Sequence, residues 1–378
     1  MILKNGLVMD PSFRLTQTDV EISGELISRI APGLSGEACM NIRGCYLLPG
    51  FIDTHIHGAY GTRISDPEPD LPAMCRFEAT QGVTSLAVTT ASSPFENLLR
   101  QFRLIAAEAA DPAHPGAKIA GIHAEGPFIS AGKKGAMNAE NLLLPDIGRL
   151  DALAEAGRGL LKIVTVAPEL PGAIDLIRHA AGRGLTVSVG HTTADYAQTI
   201  AAFEAGASQL THTFNAMSAL NHRAPGAVGA GLTTPGVCCE MICDFVHLHP
   251  AVTRMIWMLK GAEQVNIISD SGHGAGLNVS EFTVDGVTRY VRDGVARLAD
   301  GTIAGSIRTV LDGVRDLLSI GIPLSDVSRM ASLNPARSLK LENEIGSIAV
   351  GKKADLVVLD ADYNVLHTFI DGECVYSL

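Results

Sequence analysis

Residues 47–57 read LLPGFIDTHIH, an apolar run that ends in polar side chains. Further runs of this kind follow, and segments with helical spacing separate them. They span residues 83–91, 119–128, 160–169, 185–193, 208–217, 239–248 and 265–273. Near-continuous apolar runs are typical of parallel strands that helices cover on both faces. Eight such strand and helix units predict an α/β fold, a TIM-like (β/α)8 barrel, with a doubly wound open sheet as the alternative.

The two ends of the chain follow a different pattern. Residues 1–48 and 341–378 alternate short β-prone stretches with Gly and Pro turns, without helical spacing. We therefore expect both ends to pair into one small composite β-sandwich domain. Residues 49–340 then form the barrel domain.

Composition excludes several classes of protein. The 378 residues include 29 basic and 40 acidic side chains, and the net charge of −11 argues against a nucleic-acid partner. No run approaches the roughly 18 apolar residues of a membrane helix, and the opening residues lack a signal-peptide pattern. Seven cysteines without a CxxC pair indicate reduced thiols. We expect a cytoplasmic homodimer with no membrane partner.

Two histidines and a glutamate end the first and third apolar runs. His55 and His57 are two residues apart, so on a strand both imidazoles point to one face and can converge on one metal ion. The alternative is a polar pair on a solvated strand face. Glu125 precedes a Gly-Pro turn, where its carboxylate can bridge two cations. His123 is interpreted as a supporting residue rather than as a ligand.

Three later runs end in further candidates. His191 and His212 each follow a predicted strand, and adjacent barrel strands would direct both rings at one ion. Together with Glu125, these imidazoles leave a position for water, which is the arrangement of a catalytic metal site. Asp270 ends the eighth run, where a carboxylate can accept a proton from water and return it to a leaving amine. A helix N-cap is the alternative role for Asp270.

Several longer motifs together resemble the N-acetylglucosamine-6-phosphate deacetylase family, a branch of the amidohydrolase superfamily. The likeness covers nearly the whole chain. The motifs are PGFIDTHIHG at 49–58, GIHAEGPF at 121–128, VGHTTA at 189–194, THTFNAM at 211–217, HRAPGAVGA at 222–230 and GSIAVGKKADLVVLD at 346–360. The resemblance implies hydrolysis of the N-acetyl amide of a phosphorylated amino sugar.

The resemblance also implies roles for individual residues. Glu125, His191 and His212 match the main metal ligands, and His55 and His57 match ligands of a second metal that some members have. Asp270 matches the catalytic acid and base, and His247 steadies the carbonyl oxygen. The implied substrate contacts are Ala136, Met137, Asn215, Ala216, Arg223, His247, Ile303, Ala304 and Gly305. The cofactor is one or two divalent metal ions per chain, with zinc favoured over iron, cobalt or manganese.

Two positions depart from the family pattern. Met137 stands where a polar substrate contact is expected, and His273 lies in SGHGAG at 271–276, where relatives are often alanine-rich. The alternatives are therefore the galactose epimer of the substrate or another N-acyl amine. From a different class, a barrel scaffold without catalysis is the remaining alternative, but such proteins usually lose metal ligands, and none is lost here.

Overall fold

The structure is a computed structural model that describes residues 1–284, 286–301, 303 and 305–378. Eight parallel strands pair in chain order within this part of the chain, which confirms the barrel and excludes the doubly wound order. They are β1 (Phe51–Ile56), β2 (Val83–Thr90), β3 (Lys118–Glu125), β4 (Leu161–Val166), β5 (Thr186–Val189), β6 (Gln209–Leu210), β7 (Cys238–Ile242) and β8 (Val265–Ile268). Every residue of β1 and β2 is buried, as expected for strands covered on both faces.

The barrel closes where β8 meets β1. Just beyond β8, Ser271 forms a parallel bridge with Ile56, and its carbonyl accepts a hydrogen bond from the His57 N–H at 2.9 Å. The Asp270 N–H donates to the His55 carbonyl, also at 2.9 Å. The seam therefore fixes the HxH motif of β1 beside Asp270.

An outer layer of helices surrounds the barrel. Eight helices, one after each strand, are described at Leu71–Thr80, Phe95–Ala109, Ile147–Ala156, Ala173–Gly182, Tyr196–Glu204, Gly226–Thr233, Pro250–Lys260 and Val310–Ser319. Two further helices cover Leu324–Ala331 and Leu333–Ser338, and 3-10 turns cover Ala131–Lys133, Ala139–Asn141 and Ala262–Gln264. Among the described residues, no helix has the length and apolar character needed to span a membrane.

Strands from both ends of the chain form one eight-stranded sheet, so the predicted pairing of the termini is confirmed. Tyr46–Pro49 lies between the carboxyl-terminal strand Leu356–Leu359 and the first strand, Ile2–Met9. The other strands are Leu15–Ser23, Leu26–Ala31, Cys39–Asn41, Val365–Ile370 and Glu373–Ser377. The division into two domains at the residues given above stays a prediction.

This terminal sheet packs on the barrel. Leu3, Val20 and Phe369 belong to its own buried core. Val357 and Leu359, by contrast, pack into the main core of the barrel. The Thr368 hydroxyl also donates a hydrogen bond to the carbonyl of Ala79, at the end of a barrel helix.

Two small antiparallel sheets lie beyond the carboxyl ends of the strands. Gly58–Ala59 pairs with Thr62–Arg63 directly after β1. After β8, Glu281–Val284, Val287–Arg292 and Val295–Arg297 form a three-stranded sheet, which we call the upper sheet. Both contribute residues to the wall of the same cavity.

Candidate active site

A cavity of about 530 Å³ opens at the carboxyl ends of the barrel strands. Its wall includes Glu125, His191, His212, His57 and Asp270, which end five different strands or follow them directly. Parallel strands point in one direction, so the residues that follow them meet at one end of the barrel.

Glu125, the last residue of β3, meets two histidines. Its Oε1 lies 3.0 Å from His191 Nε2 and 2.9 Å from His212 Nε2, and the two nitrogens are 3.0 Å apart. All three side chains are almost fully buried. The three donor atoms therefore converge on one point at the floor of the cavity.

The HxH motif of β1 reaches the other side of the same carboxylate. His57 Nε2 lies 3.1 Å from Glu125 Oε2, and His55 Nε2 lies 3.3 Å from Glu125 Oε1. Asp270 Oδ1 lies 3.3 Å from His57 Nε2 and 3.4 Å from His55 Nε2. Glu125 thus stands between two pairs of histidines, and Asp270 faces the first pair.

Hydrogen bonds at the far ring nitrogens orient two of these histidines. His191 Nδ1 lies 2.7 Å from the carbonyl oxygen of Lys133, and His57 Nδ1 lies 3.0 Å from that of Thr89. A carbonyl only accepts, so each Nδ1 carries a proton and each neutral ring presents the Nε2 lone pair to the site. His123 differs, since its nitrogens contact the Thr54 carbonyl and the Thr165 hydroxyl.

Three site residues have a left-handed backbone. The φ angles are 45° at His191, 30° at His212 and 48° at Asp270. Side chains other than glycine rarely adopt this conformation, and it is concentrated at functional sites. Each strand ends two residues before the site residue, and the three side chains line the cavity. The capping box of Asp195 and Gln198 then starts the next helix after His191.

The carboxylates make the site strongly favourable for positive charge. Burial lowers the pKa of His57, but hydrogen bonds and charges from Asp270 and Glu125 outweigh it and raise the pKa to about 9. Burial raises the pKa of Glu125, but the surrounding histidines hold it well below its usual range. Burial also raises the pKa of Asp270, but His55 and His57 outweigh this effect and lower the pKa. A cation at this position is therefore stabilised, whether it is a proton or a metal ion.

The donor set fits a divalent metal. Glu125, His191 and His212 form one group of possible ligands, and His55, His57 and Glu125 form a second. The buried His55 Nε2 makes no hydrogen bond within the described part of the chain, so a ligating atom is left without a partner. Imidazole with carboxylate is a donor set that suits zinc, iron and similar ions.

Only some of the predicted substrate-binding residues line the cavity. Ala136, Met137 and Gly305 line the cavity, and the Met137 sulfur accepts a hydrogen bond from the Ser92 N–H at 3.5 Å. Asn215 and Ala216 lie in the half-buried turn after His212. Arg223 and Ile303 are exposed and lie outside the cavity wall. Ala304 lies outside the described residues.

His247 is held by a neighbouring carboxylate. Its ring Nδ1 lies 2.7 Å from Asp244 Oδ2, and its backbone N–H donates a hydrogen bond to Asp244 Oδ1 at 2.8 Å. Burial lowers the pKa of His247, but Asp244 outweighs this effect and raises it. The ring therefore holds its protons more tightly than an ordinary histidine. Like Arg223, it is not part of the cavity wall.

The structure also reveals wall residues that the sequence interpretation did not single out. Arg63 follows the HxH motif, and Arg289 and Phe282 belong to the upper sheet. The Phe282 ring stacks on His273 at 5.5 Å, and the Arg289 guanidinium lies 5.9 Å from its centre. Below the site, the carboxylate of Glu240 lies 3.0 Å from His55 Nδ1. Of these, only Glu240 gave a signal, as a charge within an apolar run.

Comparison with known proteins agrees with this geometry. The model of the amidohydrolase family matches residues 46–375. The chain is 36% identical over 329 residues to N-acetylgalactosamine-6-phosphate deacetylase of Escherichia coli O157:H7, covering 86% of this chain and 87% of that protein. It is also 36% identical over 335 residues to N-acetylglucosamine-6-phosphate deacetylase of Bacillus subtilis, covering 87% and 84%.

A solved structure is similar over the full length. It is N-acetyl-D-glucosamine-6-phosphate deacetylase of Mycobacterium smegmatis, as a mutant in complex with N-acetyl-D-glucosamine-6-phosphate. The TM-score is 0.92 at 34% identity, and the match covers 100% of this chain and 99% of that one. The chain therefore belongs to the amidohydrolase family of metal-dependent hydrolytic enzymes, in the branch of the N-acetyl amino-sugar 6-phosphate deacetylases.

Proposed function

We propose that the protein hydrolyses the N-acetyl amide of N-acetylglucosamine 6-phosphate to glucosamine 6-phosphate and acetate. The observation that carries this proposal is the convergence of Glu125, His191 and His212 on one point in the cavity, with Asp270 beside them. The relatives' names supply the class of substrate. The galactose epimer is the second candidate, because the relative named for it is equally similar.

We assign Glu125, His191 and His212 as the residues that would hold the main metal ion, and His55 and His57, together with Glu125, as those that would hold a second. Zinc is our first choice, with iron, cobalt and manganese as alternatives. When bound, the metal would polarise the acetyl carbonyl and lower the pKa of water toward neutrality.

The chain's own residues then move the proton. Asp270 accepts the proton of the attacking water at its carboxylate and delivers it to the amine nitrogen as the amide bond breaks. The low pKa of Asp270 keeps its carboxylate ionised. His247, held by Asp244, donates a hydrogen bond that steadies the carbonyl oxygen.

We assign recognition of the sugar to Ala136, Met137, Asn215, Ala216, Arg223, His247, Ile303, Ala304 and Gly305. Arg223 is the proposed phosphate ligand, because a guanidinium binds phosphate through two parallel charge-assisted hydrogen bonds.

The predicted homodimer is tested by sedimentation of the metal-loaded protein.

Replacing Arg223 by alanine tests the phosphate assignment. A hydrogen bond to a charged group is worth about 1.5–3 kcal/mol, so we expect KM for the phosphorylated sugar to rise about 10- to 100-fold. KM for unphosphorylated N-acetylglucosamine is expected to change little. Arg178→Ala is the matched control, since Arg178 is an exposed helix residue paired with Asp175. Equal changes for both substrates would place the phosphate elsewhere.

The second metal site is tested by replacing both histidines of the HxH motif, as His55→Gln with His57→Asn. Both ligating nitrogens disappear, while Glu125, His191 and His212 remain. We expect metal analysis after reconstitution to find one equivalent fewer per chain, with acetate release reduced but measurable. If the unchanged protein never binds more than one equivalent, the two-metal assignment is wrong.

The experiment that tests the function is acetate release from both 6-phosphate epimers after reconstitution with each metal. We expect turnover of N-acetylglucosamine 6-phosphate to exceed that of the galactose epimer. The reverse order would favour the second candidate. No release from either sugar with any of the four metals would contradict the proposed function.

A further inference from the structure

Glu240 lies directly beneath the metal-binding groups. It is the third residue of β7, in an otherwise apolar strand, and its side chain is fully buried. Its Oε1 accepts a hydrogen bond from Gln209 Nε2 at 2.7 Å. Its Oε2 accepts one from the His212 N–H at 3.1 Å and lies 3.0 Å from His55 Nδ1. The carboxylate therefore contacts one histidine from each of the two groups.

The neighbours of Gln209 fix which atoms donate. Asn266 Nδ2 donates to the Ser338 hydroxyl at 2.9 Å, so that hydroxyl directs its own proton to Gln209 Oε1 at 2.8 Å. Gln209 must then turn its Nε2 donor toward Glu240. Glu240 accepts at both oxygens, and the contact with His55 requires the proton to be on His55 Nδ1.

This arrangement determines which nitrogen His55 presents to Glu125 and His57. With Nδ1 protonated, the neutral ring has its lone pair on Nε2, the buried atom that makes no hydrogen bond to any described residue. That atom lies 3.3 Å from Glu125 Oε1, on the side where His57 also approaches. A carboxylate behind a histidine also increases the basicity of the ring toward a metal.

The position of Glu240 is informative because its carboxylate is buried inside the barrel. The interior of a (β/α)8 barrel is normally filled by branched apolar side chains, and a buried carboxylate is unfavourable unless its charge is compensated. The donors around Glu240 are an amide, a backbone N–H and an imidazole, none with a permanent charge. A cation held by His55 would supply the compensating positive charge.

We propose that Glu240 is a positioning residue for a metal ion at His55 and His57. It acts by fixing the tautomer and the orientation of the His55 ring. The inference rests on the proposed function, since it deepens the assignment of the second metal site. Glu240 is not part of the cavity wall. The competing explanation is a structural role limited to holding Gln209 and the His212 backbone.

The test is metal affinity in Glu240→Gln, which keeps the shape of the side chain and removes its charge. Zinc or cobalt equivalents and affinities are measured by chelator competition on the reconstituted protein. We expect one of the two equivalents to bind about 10- to 100-fold more weakly, and the other to keep its affinity. Glu78→Gln controls for placing an amide at a buried glutamate, because Glu78 is fully buried and is not among the metal-binding groups of the described residues. Both equivalents should be retained in this variant.

A double substitution separates positioning from structural support. If Glu240 acts through His55, adding Glu240→Gln to His55→Gln should cause no further loss of metal affinity. If Glu240→Gln lowers the metal affinity of the His55→Gln variant as much as that of the wild type, the proposal is wrong. Unchanged affinity for both equivalents in Glu240→Gln alone would also overturn it. If thermal melting shows that Glu240→Gln is unfolded, Glu240→Asp replaces it, because its shorter side chain draws the carboxylate away from His55.

The wild-type protein distinguishes this proposal from the proposed function. Binding of a single equivalent by the wild type would overturn the role of Glu240 and leave deacetylation open to its own test. Binding of two equivalents, with a selective loss in Glu240→Gln but no acetate release from either sugar, would support Glu240 and contradict the substrate assignment.

Discussion

Asp270→Asn is expected to lower kcat by about 10²- to 10⁴-fold, because asparagine cannot accept the proton of the attacking water. The structure makes this substitution conservative in other respects. Asp270 has a φ of 48°, a conformation that asparagine tolerates well, and its N–H bond to the His55 carbonyl involves only the backbone. The loss should therefore reflect chemistry rather than misfolding.

The measurement is steady-state acetate release, with metal content and substrate affinity determined on the same sample. Both are expected to stay near their wild-type values, since the main metal ligands are Glu125, His191 and His212. A kcat near the wild-type value with full metal content would remove Asp270 from the mechanism. Loss of metal together with activity would instead make Asp270 a ligand.

Glu125→Gln is expected to lower acetate release by at least ~10³-fold, because metal catalysis supplies several kcal/mol of transition-state stabilisation. The carboxylate of Glu125 lies within 3.3 Å of His55, His57, His191 and His212. The neutral amide removes an acidic ligand shared by both pairs of histidines. We therefore expect both metal equivalents to be weakened, in contrast to the selective loss in Glu240→Gln.

Metal analysis and acetate release on reconstituted Glu125→Gln check this expectation. Glu78→Gln is again the control, since it places an amide at another fully buried glutamate and should leave both measurements unchanged. Full metal content with wild-type turnover in Glu125→Gln would show that the metal is held elsewhere.

The barrel was predictable because its strands are buried on both faces. Each of the eight apolar runs overlaps one barrel strand. The first run also includes residues 47–49 of the terminal-sheet strand Tyr46–Pro49, and the pattern does not separate this strand from β1 because both are apolar. Gly50 divides them, at a point where a Cβ atom would lie 2.2 Å from Thr84 Cγ2. Such close packing is a property of the fold and leaves no periodicity in the sequence.

The histidines, Glu125 and Asp270 could be selected because parallel strands share one end. The backbone conformation at that end could not be predicted from the sequence. The run 208–217 looks like one long strand, yet β6 covers only Gln209–Leu210, and the backbone turns left-handed at His212, Phe214 and Ala216. None of these is glycine, so local sequence carried no signal of the turn.

The upper sheet and Glu240 were missed for different reasons. Glu281–Val284 and the strands that follow are half exposed, with no apolar run to reveal them or the position of Arg289 over the cavity. Glu240 lies within an apolar run, but its importance depends on a contact with His55, which is 185 residues away in the chain. Such a long-range contact requires the closed barrel.

The pairing of Tyr46–Pro49 with Leu356–Leu359 sets an order of events during biosynthesis. Ribosomes add about 5–20 residues per second, so the amino-terminal strand emerges roughly 15 to 60 s before its partner about 300 residues later. During that interval one edge of Tyr46–Pro49 is unpaired, and such an edge is a template for aggregation. Slow translation of the last segment of the messenger RNA therefore prolongs the period in which this edge of the nascent chain stays exposed.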